Sequence, residues 1–341
     1  MKKILSVLSG HREDIPPIWM MRQAGRHLPE YLEIRNTTTS FIDFCFSPEK
    51  ASEVTLQPIH RYDMDAAILF ADILLVPIAL GRQVTFEKGV GPILNPISIN
   101  DIKRLQKNTN VLKPVYETVK EVKKKLYKSK TLIGFCGAPW TVATYMLEGK
   151  GTTNKEKAKK FAYENPGATK DLLESLVEVS VEYLIKQAEA GAEVLQIFES
   201  WASDLSPSMF QDLIIKPTRN IIKLVRDSGV DVPIIGFPKN CGLSVLDYVE
   251  KTGISAIAAS TEIPIKKLRS LIPENMAIQG NLDPLALRLG GKTLEYQVEE
   301  VLKNARGPHI FNLGHGVSPD VKIENIKAVI NHIRTGNGNY V

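Results

Sequence analysis

Cysteine is scarce in this chain: Cys45, Cys136 and Cys241 are an odd number with no CxxC spacing. That argues against a disulfide framework and fits a reducing cytoplasm. Histidine is equally sparse. His11, His27, His60, His309, His315 and His332 form no HxH, HExxH or His-x-Cys pair suited to zinc, so no metal site is expected. No G-x-G-x-x-G follows a strand, and nothing supports a nicotinamide or flavin enzyme. No G-x-S-x-G elbow surrounds Ser200, which excludes an acyl-transfer serine of that kind. Uninterrupted apolar runs are too short to span a bilayer, so no membrane partner is expected. The opening residues 1–8 resemble the start of a signal peptide. Their apolar part is cut short by His11-Arg12-Glu13-Asp14 and no small-residue cleavage site follows, so the expected location is cytoplasmic. Basic stretches are not interleaved with aromatics, which argues against nucleic acid.

What is present is ordinary in bulk. Hydrophobic residues make up 43% and charged residues 24%, with a net charge of +5 that favours anionic ligands only mildly. At 341 residues the chain can bury a sizeable core.

The least ordinary stretch is 17–31, which pairs an apolar run with Arg22 and Arg26. Residues 18–21 suit a buried strand, Pro16-Pro17 prevents a helix before it, and Gly25 permits a turn that a side chain would obstruct. A guanidinium matches carboxylate geometry bidentately, so two on one turn suit a polyanion; solvated loop charges are the alternative.

Along the chain, short apolar runs follow at 66–70, 132–136, 194–198, 232–237, 255–259, 276–280 and 309–313. Between them lie helical stretches, the best at 169–189 with Gly191 as its stop. Ser47 and Pro48 start another, 101–128 is helical but broken near Pro114, a helix starts near Thr141, and the last covers 319–334 before a frayed tail at 335–341. Residues 81–100 read as an excursion, and 148–155 as a flexible loop matching no phosphate-binding fingerprint.

Eight short strands, each followed by room for a helix, predict an α/β fold: a single (β/α)8 TIM-type barrel over 1–341 with N-terminal and loop excursions. A doubly wound open sheet is the alternative. In a barrel Arg22, Arg26, Asp72, Tyr145, Ser200 and His315 all follow strands and gather at one mouth, with Trp19, Phe135, Phe198 and Trp201 nearby in sequence. Such a lining suits a large flat ligand with carboxylates at its edge and N–H donors at its centre. Taken singly, Asp72 and Ser200 could be caps, Tyr145 packing and His315 a core histidine.

Met21-Arg22-Gln23-Ala24-Gly25-Arg26-His27-Leu28-Pro29-Glu30-Tyr31 resembles the N-terminal signature of the uroporphyrinogen decarboxylase family. Gly137-Ala138-Pro139-Trp140-Thr141 with Tyr145-Met146, then Phe198-Glu199-Ser200-Trp201, then Asn312-Leu313-Gly314-His315-Gly316 resemble its later motifs in order. The resemblance covers essentially the whole chain. It implies a (β/α)8 barrel, a homodimer, and a cofactor-free enzyme that decarboxylates the four acetates of uroporphyrinogen III to give coproporphyrinogen III. It further implies that Arg22 and Arg26 bind substrate carboxylates within a contact set that includes Gln23, Ala24 and Gly25. Asp72 would face the pyrrole N–H groups; Tyr145, Ser200 and His315 would contact the ligand edge, with Arg35 a further carboxylate candidate. Asp72 and Arg22 would be catalytic, the proton coming from Arg22 or an arginine-bound water. Two places depart from the pattern: His27 stands where many members have tyrosine, and Trp201-Ala202-Ser203-Asp204 follows Ser200 where some members place a histidine. The competing functions are a cobalamin-linked methyltransferase of similar barrel, whose zinc site includes a His-x-Cys pair, and a non-catalytic tetrapyrrole binder. The region corresponding to that zinc site reads Phe237-Pro238-Lys239-Asn240-Cys241-Gly242, without histidine.

Overall fold

Chain segments with almost no polar side chains pair side by side in the computed structural model, which describes residues 1–87, 89–152 and 154–336. In chain order the strands are β1 (Ala66–Ile68), β2 (Val84–Glu87), β3 (Gly91–Leu94), β4 (Thr131–Gly137), β5 (Val194–Glu199), β6 (Ile234–Pro238), β7 (Ala256–Ala258), β8 (Ala277–Gln279) and β9 (His309–Ile310). Among the described residues β1-β4-β5-β6-β7-β8-β9 form one parallel sheet, and β2 and β3 pair as an antiparallel hairpin within the expected excursion. All seven residues of β4 are buried. A parallel strand covered on both faces has no solvent side to make polar, which is why these segments read as apolar runs.

Among the described residues seven strands, not eight, make up the sheet. The run at 18–21 forms only an isolated bridge, Ile18 to Phe311. Its backbone is held on both sides: Phe311 N donates to Pro17 O (2.9 Å), Trp19 N to Phe311 O (3.3 Å), and Asp65 N to Ile18 O (2.8 Å). A ladder cannot extend in either direction. Pro16 and Pro17 have no N–H to offer, and at Met20 the chain already turns, Gln23 N donating to Met20 O (3.0 Å). The result is a curled parallel sheet with residues 17–19 lying between its first and last strands.

Helices cover the sheet. The long one is Pro166–Ala190, stopped at Gly191 where φ is +122°. Two starts differ from the sequence reading for one reason: proline fits the first turn of a helix, where no N–H is needed. The helical region at 101–128 is broken as expected, into Ile99–Ile102 and Lys113–Lys125, but the break falls ahead of Pro114, which lies in the first turn of the second helix; Pro139 likewise opens Pro139–Glu148 ahead of Thr141. Ser47 stands at the N-cap of Pro48–Tyr62, but its hydroxyl makes no capping bond. The last helix is Ile323–Thr335, shorter than expected because 318–321 close a turn, Val321 N donating to Ser318 O. Residue 153 of the expected loop and 337–341 of the expected frayed tail lie outside the described residues. The opening residues form the helix Lys3–Leu8, with Ile4 and Val7 fully buried. No helix among the described residues is long and apolar enough to cross a membrane.

Candidate active site

Arg22 occupies a position few side chains adopt, a left-handed residue with φ +62°. Such a conformation costs on the order of 1–3 kcal/mol and persists only where its surroundings fix it. Here they do. Met21 N donates to Asn312 Oδ1 (3.0 Å), and Val317 N donates to Met21 O (2.8 Å), tying the turn to the segment after β9. Gln23 ties it to β1, accepting from Met20 N at Oε1 (3.0 Å) and donating from Nε2 to Ala66 O (2.9 Å). A Cβ on Gly25 would stand 3.1 Å from Arg22 O, so the turn keeps a glycine there. The Arg22 side chain is laid across Gly316, where a Cβ would fall 2.4 Å from its Cδ.

Asp72, just beyond β1, is half-buried. Its Oδ1 accepts from Leu74 N (2.8 Å). Burial raises its pKa, opposed by that N–H and by Arg22. The bland reading of Asp72 as a local cap is thus realised at one oxygen, and the same carboxylate also lies in the field of Arg22. Tyr145, on Pro139–Glu148, lies in the field of both: burial first and Asp72 second raise its pKa, while Arg22 and Trp201 lower it. His315 completes the group. Burial, then Lys239 and Arg22, lower its pKa to about 3, so its imidazole is neutral at pH 7. Arg22 is the member that touches the fields of all three.

Ser200 follows β5 directly and is half-buried, its hydroxyl bonded to no described residue. Trp201 packs its ring 4.8 Å from that of Tyr145. Phe135, Phe198 and Phe237, from β4, β5 and β6, meet edge to face at 5.5 and 6.0 Å. Trp19 is not part of any lining: it is fully buried, its Nε1 donating to Gln279 Oε1 (3.0 Å).

The two arginines of the sequence motif part company. Both are exposed, but Arg22 acts on Asp72, Tyr145 and His315, whereas Arg26 acts on Tyr31. Arg35 donates to Thr38 O (3.3 Å) and Oγ1 (2.8 Å); it also acts on Cys45, itself in the field of Asp72. Gln23 has its side chain committed to backbone at both ends, and Ala24 and Gly25 offer only backbone polar groups.

Two residues of the site escaped the sequence reading. Lys239 directly follows β6; burial and the neighbouring Arg22 lower its pKa. The rule that singled out Asp72, a charged residue just past an apolar run, would have found it. Glu199, the last residue of β5, is fully buried and accepts a hydrogen bond from Thr141 Oγ1. Burial pushes its pKa up to about 8. Thr141 Oγ1 in turn accepts from Trp201 N (3.2 Å), so this carboxyl supports the turn that carries Ser200 and Trp201.

The family model described as uroporphyrinogen decarboxylase (URO-D) matches residues 1–336. The uroporphyrinogen decarboxylase of Maricaulis maris (strain MCS10) is 48% identical over 336 residues, covering 98% of this chain and 97% of that one. That of Mesorhizobium japonicum is 49% identical over 335 residues, covering 97% of each. Among solved structures, a methyltransferase from Methanosarcina mazei superposes with a TM-score of 0.81 at 18% identity, covering 97% of each chain. A B12-independent methionine synthase from Shewanella sp. W3-18-1 does so at 0.57 and 12% identity, over 85% of this chain and 86% of that one. Those two likenesses show the fold alone, a curled parallel α/β sheet. The match over residues 1–336, at nearly half identity to full-length relatives, shows that this chain belongs to the uroporphyrinogen decarboxylase family.

Proposed function

We propose that this protein removes carbon dioxide from the four acetate side chains of uroporphyrinogen III, giving coproporphyrinogen III. Family membership supports a carboxy-lyase of porphyrin biosynthesis. The observation that carries the mechanism is Asp72, a half-buried carboxylate in the field of Arg22. An acetate on a pyrrole gives up carbon dioxide when the ring has first accepted a proton at carbon and become an electron sink. The electrons of the breaking C–C bond then flow into the ring, a second proton converts the exocyclic carbon to methyl, and the ring gives up the first proton to become a pyrrole again, so that one proton is consumed for each carbon dioxide lost. A carboxylate held near the ring nitrogens stabilises the positive charge that develops, an effect worth several kcal/mol in a water-poor site. Desolvation of Asp72 makes the anion costly until a cation or an N–H donor offsets it, and the substrate brings both.

Arg22 binds a substrate carboxylate and lies closest to the proton transfer, directly or through a bound water. Arg26 and Arg35 hold carboxylates further out, and Gln23, Ala24 and Gly25 contribute backbone groups of the turn. Tyr145, Ser200 and the neutral His315 contact the ligand edge. Closure of the sheet by residues 17–19 into a single (β/α)8 barrel, a homodimeric assembly and a cytoplasmic location belong to the same reading. No cofactor is invoked, because the macrocycle supplies its own electron sink. The methyltransferase alternative rests on fold likeness at 18% identity, which carries no activity.

Anaerobic incubation with uroporphyrinogen III, oxidation and chromatography tests the reading. Porphyrins with seven down to four carboxylates are the expected products. Recovery of only the octacarboxylate would overturn it.

A further inference from the structure

Lys239 stands near Arg22, Glu262 and Lys155 and, among the described residues, forms an ion pair with none of them. Its backbone is fixed at the level of Ser200, Lys239 N donating to Glu199 O (2.9 Å), and the next residue is anchored by Asn240 N donating to Ser260 Oγ (3.0 Å). The side chain is half-buried, in the fields of Arg22, Glu262 and Lys155, and acts on His315. Among the described residues its ammonium has no hydrogen bond or ion pair. Its neighbours are engaged: Lys155 donates to Ser203 O (3.0 Å), Ser203 Oγ (2.7 Å) and Asp204 Oδ2 (3.2 Å), and Glu262 accepts from Ser260 Oγ (2.7 Å). A partly desolvated ammonium beside other cations is unfavourable until an anion reaches it.

We propose that Lys239 is a substrate-binding residue whose ammonium holds a propionate carboxylate, one of those that the substrate keeps. The proposal rests on the decarboxylase reading above and names a contact within that site. Uroporphyrinogen carries two kinds of carboxylate, four acetates that leave and four propionates that stay. A fixed cation on a departing carboxylate would stabilise the charge that loss of carbon dioxide disperses, and so would slow the step. On a propionate the same cation binds substrate, intermediates and product alike, lowering KM without opposing the chemistry.

The test compares wild type, K239M and K239R on porphyrinogens with eight, seven, six and five carboxylates. Anaerobic titration of coproporphyrinogen, read by tryptophan fluorescence, measures product affinity. Loss of one charge-assisted contact is expected to raise KM for every substrate by a similar factor, about tenfold, and to weaken product binding alike. kcat should fall by less than about threefold. K239R should recover most of the affinity, which separates a contact from a folding defect, and thermal melts of all three proteins check the latter. Unchanged KM and product affinity in K239M overturn the proposal. A penalty that fades as acetates are lost assigns Lys239 to an acetate and overturns it too, as does a loss confined to kcat. Wild-type protein that leaves uroporphyrinogen III untouched sinks the decarboxylase reading instead; coproporphyrinogen affinity in K239M then judges the lysine by itself.

Discussion

The side chain of Arg22 lies flat on the backbone of Gly316, with Cδ, Cγ and Nε all within 3.0 Å of where a Cβ would stand. Glycine at 316 is therefore part of what aims the guanidinium. Gly316→Ala meets only a flexible side chain, so the fold should survive with a small loss in Tm while Arg22 is pushed aside. Displacing a positioning group by about 1 Å can cost on the order of a hundredfold in rate. The expected outcome is a fall of that size in kcat/KM with a nearly native melt; steady-state assays and calorimetry check it, and native activity would show that Arg22 needs no such aim.

Asp72→Asn keeps the acceptor for Leu74 N and removes the charge. If the anion stabilises the protonated macrocycle, kcat/KM should fall at least about a hundredfold. In wild type, burial raises the Asp72 pKa, so the acid limb of kcat/KM should lie above the ordinary carboxylate range. A carboxyl whose folded pKa is raised contributes stability that is complete below its unfolded pKa and lost as pH rises through the folded one. At neutral pH the anion therefore costs stability, and D72N should melt higher than wild type while working far less. Rates measured between pH 4 and 8, with melts at pH 7, decide it; equal rates would remove Asp72 from the chemistry.

Legibility of the fold followed burial. β4 to β6 are mostly apolar because both faces are covered, with Gln196 and Glu199 of β5 as buried polar exceptions, and their glycine and proline boundaries stand out in the sequence. The segment at 18–21 is just as apolar, yet whether it forms a ladder depends on two missing N–H groups and on a turn that begins one residue early. Arg22 and Arg26 illustrate the limit for the site. Their spacing suggests a joint clamp; what it cannot show is that Arg22, at positive φ, lies against Gly316 while Arg26 acts on Tyr31. Trp19 looks like lining and is core, because only the fold reveals that Gln279 stands opposite its indole. Lys239 was readable by the strand-end rule. Glu199 was not: a glutamate ending a strand looks solvent-facing until the packing of Pro139–Glu148 against β5 closes over it.

That enclosure makes Glu199 the site's most testable titration. Its pKa, pushed up from an ordinary carboxylate value to about 8, makes it neutral at pH 7 in the folded protein and ionised in the unfolded chain. Unfolding then releases a proton, so the stability the neutral form contributes is complete below the unfolded pKa, drains away as pH rises, and is gone above about 8. Glu199→Gln retains an oxygen to accept from Thr141 and cannot ionise. The gap in Tm between E199Q and wild type should therefore widen in favour of the variant from pH 5 to pH 8 and level off beyond. Asp72 and His315 titrate in both proteins and cancel from the difference. Glu199→Ala, by contrast, strands the Thr141 hydroxyl in the interior and should cost about 1–3 kcal/mol, together with activity, because Trp201 loses the support of its turn. Parallel melting curves for E199Q and wild type across that range would mean that Glu199 is charged where it stands, and that Thr141 and the buried face of β5 carry a carboxylate instead of an acid.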